Sequence, residues 1–196
     1  MNVLYIDACP REPGVSRTLQ LAERFLQVLK ETQPEASVTR EAVADMGLSA
    51  VDGALLKRRE ALIDARAWED VLFAPARSFQ VADVIITAAP YWDLMFPAML
   101  KVYIEHVFIR ELTFCYRNDE PIGLCRASRA VFLTTSGSPI GMADFGEAYL
   151  RATFAMLGIP RLDCISAEGL DIEGADVTDL METALRRVTA LAASFG

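Results

Sequence analysis

Five short apolar runs alternate with stretches of helical periodicity along the chain. Residues 2–8 (NVLYIDA) open as a strand. From Ser16 to Lys30, Leu19, Ala22, Phe25, Leu26 and Leu29 fall on one helical face. Ser37 to Val43 predicts a second strand. Residues 51–79 follow the helical period through Leu62, Ala65 and Trp68, with Pro75 as an interruption. Ala82–Ala89 and Arg129–Thr135 are apolar on both faces, as inner parallel strands are. Pro97 is placed to start a helix reaching Arg110. Another helix is predicted from Ala143 to Leu157, ended by Gly158 and Pro160. Arg161 to Glu168 is the fifth strand. Asp176 can cap a final helix whose stripe is Val177, Leu180, Met181, Ala184, Leu185, Val188, Leu191 and Ala192.

Right-handed crossovers between these elements predict a single domain over residues 1–196. Its class is α/β, a doubly wound five-stranded parallel sheet of order 2-1-3-4-5 with helices on both faces. Residues 111–127 break the rhythm and read as a loop or short hairpin. The helix from Pro97 is apolar on two sides: Met99, Val102, Tyr103 and His106 on one, Leu100, Ile104, Val107 and Phe108 on the other. Either the chain wraps it fully, or one side meets a second subunit. The second reading predicts a homodimer with two-fold symmetry.

Charge and composition remove many functions. The 196 residues carry 27 acidic and 19 basic side chains, a net charge of −8 that repels phosphate backbones, so no nucleic acid is expected as a partner. No 18-residue apolar run or signal stretch occurs, which predicts a cytoplasmic protein without a membrane span. The four cysteines form no C-x-x-C pair and His106 is the one histidine, so no metal site is expected. G-x-G, G-x-S-x-G and phosphate-loop lysine motifs are absent.

In an open sheet of this order, ligands bind beyond the strand ends where the winding reverses. Three turns meet there. The first, Cys9 to Thr18, holds Arg11, Ser16, Arg17 and Thr18 at a helix start, where free N–H groups and two hydroxyls can take a phosphate. Ser16 acting only as a cap, and Arg17 pointing to solvent, are the plainer readings. The second runs Pro90-Tyr91-Trp92-Asp93-Leu94-Met95-Phe96-Pro97 and offers a wall for a flat aromatic ligand, or a subunit contact. The third holds Thr135, Ser136, Gly137 and Ser138, which suit the polar edge of a heterocycle or make a plain surface turn. Together they describe a site for a phosphorylated planar ligand without selecting the ring. His106 reads as a packing residue. Cys9, near a helix start, reads as an inert side chain, with a lowered thiol pKa and a redox role as the alternative.

At these residues the sequence resembles the flavodoxin-like FMN-dependent NAD(P)H oxidoreductases, in particular the NADH-azoreductase and quinone reductase group. The resemblance rests on residues 88–101 (AAPYWDLMFPAMLK), on Thr113-Phe-Cys-Tyr116 followed by Gly123-Leu124, and on Ser16-Arg-Thr18. Asp93 stands where that group usually has Asn, Cys9 where it has Ser, and residues 135–138 replace an arginine-bearing turn.

The resemblance implies an enzyme that passes two electrons from NADH or NADPH through FMN to a quinone, azo or similar aromatic acceptor, in a ping-pong cycle. Cys9, Arg11, Ser16, Arg17, Thr18, Pro90, Tyr91, Trp92, Asp93, Leu94, Thr135, Ser136, Gly137 and Ser138 would hold the cofactor. Phe114 and Tyr116 would wall the substrate slot. No side chain is assigned as obligatory acid or base, because the flavin carries the chemistry. The alternatives are a non-enzymatic FMN-binding electron carrier and a degenerate interaction module.

Overall fold

Alternation of side chains along each strand decides how the chain layers. A computed structural model describes residues 1–12, 14–142 and 144–196. Pro13, in the first predicted loop, and Ala143, the predicted start of a helix, lie outside the described residues. The strands are β1 (Asn2–Asp7), β2 (Ser37–Ala42), β3 (Val84–Ala88), β4 (Phe114–Arg117), β5 (Glu120–Gly123), β6 (Arg129–Thr135) and β7 (Arg161–Ala167). The helices are α1 (Arg17–Thr32), α2 (Gly53–Asp64), α3 (Ala74–Val81), α4 (Ala98–Val107), α5 (Phe145–Met156) and α6 (Val177–Ala193).

Five strands form a parallel sheet in the order β2-β1-β3-β6-β7, and β4 pairs with β5 as a separate antiparallel hairpin. With the hairpin set aside, the spatial order is the predicted 2-1-3-4-5; counted along the chain, the last two members are the sixth and seventh strands. Val3 and Tyr5 of β1, with Val131 and Leu133 of β6, pack beneath α1 and α6. Leu4 and Ile6, with Ala130 and Phe132, face α3, α4 and α5. Both faces are therefore covered, which explains why the inner strands have no polar side.

Two predicted elements differ. The stretch 51–79 is not one helix. α2 ends near Asp64, a 3-10 turn spans Val71–Phe73, and α3 begins immediately after it. Pro75 lies in the first turn of α3, where its missing N–H costs nothing, so it starts a helix instead of interrupting one. The second apolar side of α4 is partly covered by the chain itself. Tyr103 is fully buried and donates its hydroxyl to Glu41 Oε2 at 2.6 Å, and His106 Nε2 lies 2.9 Å from the Ser49 carbonyl. Burial raises the Glu41 carboxyl pKa, against a smaller lowering by the Tyr103 hydroxyl. Met99 and Val102 remain half-buried. Among the described residues, no helix is long and apolar enough to cross a membrane.

An ion-pair cluster pins the other end of the sheet. Arg129 Nε donates to Asp163 Oδ2 at 2.5 Å, and Arg161 Nε to the same oxygen at 3.0 Å. Burial raises the Asp163 pKa, but the two guanidinium groups outweigh it and hold the carboxyl below its ordinary value. A carboxylate with a lowered folded pKa contributes stability fully above its unfolded pKa of about 3.9 and loses it as pH falls through the folded value. Asp163→Asn should therefore be less stable than the parent by a constant margin from about pH 7 to pH 5. That margin should close below about pH 4, as read from denaturant midpoints. A margin independent of pH would assign the effect to packing.

Candidate functional site

The carboxyl ends of β1, β3, β6 and β7 carry four turns that meet at one edge. Ser16 caps α1: its Oγ accepts from the Leu19 N–H at 3.3 Å. The remaining N–H groups of the first turn of α1 have no acceptor within the helix and point outward from its tip. Thr18 is buried beside that tip, and its Oγ1 lies 2.6 Å from Oγ1 of Thr135. Two hydroxyls share one hydrogen bond here, so one proton of the pair is left for another acceptor. The same contact fastens the first turn to the third.

The second turn is built differently. Trp92 and Met95 exchange both backbone hydrogen bonds, at 3.1 and 2.8 Å. Asp93 (φ 50°) and Leu94 (φ 65°) between them occupy the left-handed region. This is the backbone of a tight hairpin turn that favours Asn-Gly. A leucine there stores about 1–2 kcal/mol of strain. Trp92 (44% exposed) and Leu94 (51%) present apolar surface at the tip. Tyr91 N donates to the Thr135 carbonyl at 2.9 Å, which ties this turn to the third. Leu94→Gly should relieve the strain and raise the melting temperature by roughly 2–4 °C, for a gain of about 1 kcal/mol. A fall of that size would show that the leucine side chain, not the turn, governs this position.

The third turn leans on a fourth that the sequence did not single out. Leu170 N donates to the Ser136 carbonyl at 3.1 Å, and Asp171 N to the Gly137 carbonyl at 2.9 Å. Arg17 does not point to solvent. Its Nη1 donates to Leu170 O at 3.2 Å and to Asp171 Oδ1 at 2.9 Å. Glu168 braces the loop from below, accepting from Ile140 N at 2.8 Å and from Ser166 Oγ at 2.6 Å.

These four turns enclose a cavity of about 150 Å³. Of the predicted residues, Arg11, Ser16, Arg17, Thr18, Pro90, Tyr91, Trp92, Thr135, Ser136 and Gly137 line it, joined by Pro10, Leu170 and Asp171. Asp93 and Leu94 lie at the exposed tip of the second turn, outside that lining. Ser138 also lies outside it, donating its N–H to Ser136 Oγ at 3.3 Å. Cys9 is half-buried and lies outside the lining. Its N–H bonds Asp7 Oδ1 and its thiol faces the Ala88 carbonyl at 3.6 Å. Burial, with the nearby Asp7 charge, pushes the Cys9 thiol up to about 12, opposite to the lowering that a helix start suggests.

Phe114 and Tyr116 do not line the cavity. Phe114 is buried, packed tilted against Phe108 and edge-on to Tyr116, while Tyr116 is 55% exposed on the hairpin. Asp171 carries no local motif, and its partner lies 154 residues away along the chain. The one available signal was its position just after the last sheet strand, since every such turn opens at this edge.

A family model described as flavodoxin-like fold matches residues 1–192. The chain is 30% identical to an FMN-dependent NADH:quinone oxidoreductase 2 of Clostridium acetobutylicum, with 99% of each chain covered. It is 34% identical to an FMN-dependent NADH:quinone oxidoreductase of Lachnoclostridium phytofermentans over 90% of each. Among solved structures, an FMN-dependent NADH-azoreductase from Bacillus anthracis, in complex with FMN, superposes with a TM-score of 0.88 at 20% identity. That superposition covers 99% of this chain and 98% of the other, a likeness of fold.

Proposed function

This chain belongs to the flavodoxin-like fold family, and on that footing we propose that it is an FMN-dependent oxidoreductase passing two electrons from NADH to a quinone or azo acceptor. The observation that carries the reading is the meeting of a helix N-terminus, a threonine pair with one hydroxyl proton to spare and an aromatic turn at one cavity. The relatives' names supply the donor and the acceptor class.

The residues fit FMN in a specific way. The cavity is smaller than the roughly 300 Å³ at which pockets for whole small molecules begin, and it is lined mainly by polar groups. It suits the phosphate tail, leaving a planar ring to lie over the open apolar tip at Trp92 and Leu94. Ser16, Arg17 and Thr18 would hold the phosphate, with Arg11 adding charge. Ser136 and Gly137 would meet the polar edge of the ring. FMN, when bound, supplies the electron relay that no protein side chain offers.

The protein's part is orientation. The α1 tip fixes the anion by oriented N–H dipoles. The Thr18–Thr135 bond keeps the first and third turns in register. The Trp92–Met95 backbone bonds fix the second turn at the rim, and apolar surface there would shield from water the face that donor and acceptor would use in turn. Tyr116, on the hairpin and outside the lining of the cavity, would border that face from a neighbouring subunit. Asp93, a carboxylate where an amide is usual, would contribute its backbone N–H. The four free thiols suit a reducing cytoplasm. A two-fold dimer is part of the reading, supported by the half-buried Met99 and Val102 on one side of α4.

The test is loss of NADH absorbance on adding a small quinone, with and without FMN. Turnover that needs both FMN and quinone is expected. No turnover by flavin-loaded protein would overturn the enzyme reading. Electron transfer only through a protein partner would instead favour a carrier, which the net charge of −8 would suit for docking on a basic surface.

A further inference from the structure

The geometry points to Asp171 as the residue that limits how tightly this site holds a phosphate, and so sets its preference between phosphorylated and unphosphorylated flavin. The ligand's identity rests on the FMN reading above; the electrostatic argument does not.

Asp171 is held at the mouth of the cavity by its backbone, whose N–H bonds Gly137 O at 2.9 Å. Its carboxylate lies against Gly137 so closely that a Cβ added there would sit 2.3 Å from Oδ2. On its other side, Oδ1 pairs with Arg17 Nη1 at 2.9 Å. Two arginines, Arg11 and Arg17, line the cavity, and Asp171 cancels one of them. An incoming phosphate must share Arg17 with a carboxylate already bonded to it, and must approach that negative charge. The pair is partly exposed, 38% for Arg17 and 72% for Asp171, so it is weak enough for a dianion to compete with. A neutral ring does not compete for Arg17 and has no net charge to repel, even where its polar edge meets Gly137 beside Asp171. Asp171 therefore opposes the charged tail of the ligand far more than its neutral head.

Asp171→Asn isolates this charge. The amide keeps the shape and retains an oxygen for Arg17, while the cavity gains one net positive charge. The experiment compares the full-length parent and Asp171→Asn. Dissociation constants for FMN and for riboflavin come from quenching of flavin fluorescence at two salt concentrations, and thermal stability is followed with inorganic phosphate. We expect FMN to tighten by about 3- to 10-fold, most at low salt, with riboflavin unchanged within about 2-fold. Phosphate should stabilise the variant more than the parent. FMN affinity that is unchanged or weaker, or riboflavin tightening in step with FMN, would overturn the proposal. If neither flavin binds either protein while phosphate still favours the variant, the role of Asp171 stands and the FMN reading falls. If phosphate also fails to discriminate, both fall.

Discussion

Gly123→Ala should lower the melting temperature of this protein by roughly 6–12 °C, for a loss of about 3 kcal/mol. Gly123 closes β5, and its Cα packs against the turn after α5. A Cβ there would stand 2.0 Å from Gly158 N and 2.1 Å from the Leu157 carbonyl carbon. Neither atom is free to yield. Leu157 O accepts from Cys125 N at 3.2 Å, and Gly158 N donates to Ala155 O at 3.0 Å. Gly158 itself sits at φ 95°, so few other conformations are open to it. The hairpin would have to lift from α5 as a unit, dragging Leu124 and Cys125 with it. Gly53→Ala is the control: Gly53 opens α2 with nothing near its missing Cβ. Equal melting temperatures for Gly123→Ala and the control would mean that the hairpin is not anchored there.

Thr18→Val should weaken FMN by about 10- to 100-fold, the worth of one hydrogen bond to a charged group. Valine keeps the branched shape and removes only the hydroxyl. Thr18 is 1% exposed, and Thr135 Oγ1 loses its 2.6 Å partner in a buried setting and must move back from the methyl group that replaces it. A stability loss of about 1–3 kcal/mol should accompany the loss of affinity. Riboflavin affinity separates the two effects. It should change little, because the hydroxyl pair faces the phosphate end. Equal weakening of both flavins would show that the threonine bond shapes the whole cavity and does not hold the phosphate.

Much of this site is legible in the sequence because open parallel sheets expose their turns at one edge. Ile85, Ile86, Val131 and Leu133 are apolar whichever way they point, which marks β3 and β6 as inner strands and places the turns after them together. Ser16 and Thr18 are legible as a helix start. The contribution of Asp171 is not, because it depends on β7 lying beside β6 and on Arg17 reaching across the cavity mouth. Phe114 and Tyr116 share one motif, yet the fold turns Phe114 inward against Phe108 and leaves Tyr116 outside. For Tyr103 and His106 the sequence leaves a wrapped helix and a subunit contact both open, because no local pattern announces that Glu41 and Ser49 come to lie against α4. Pro75 shows the reverse error: a proline marks a break and a beginning alike, and only the preceding turn at Val71–Phe73 decides between them.

The most direct measurement is diffraction from crystals of this protein grown with FMN. The phosphate is expected within hydrogen-bonding distance of the α1 tip and the Thr18–Thr135 pair, with the ring lying over Trp92. Flavin density elsewhere, or a phosphate turned out to solvent away from Ser16 and Thr18, would contradict it.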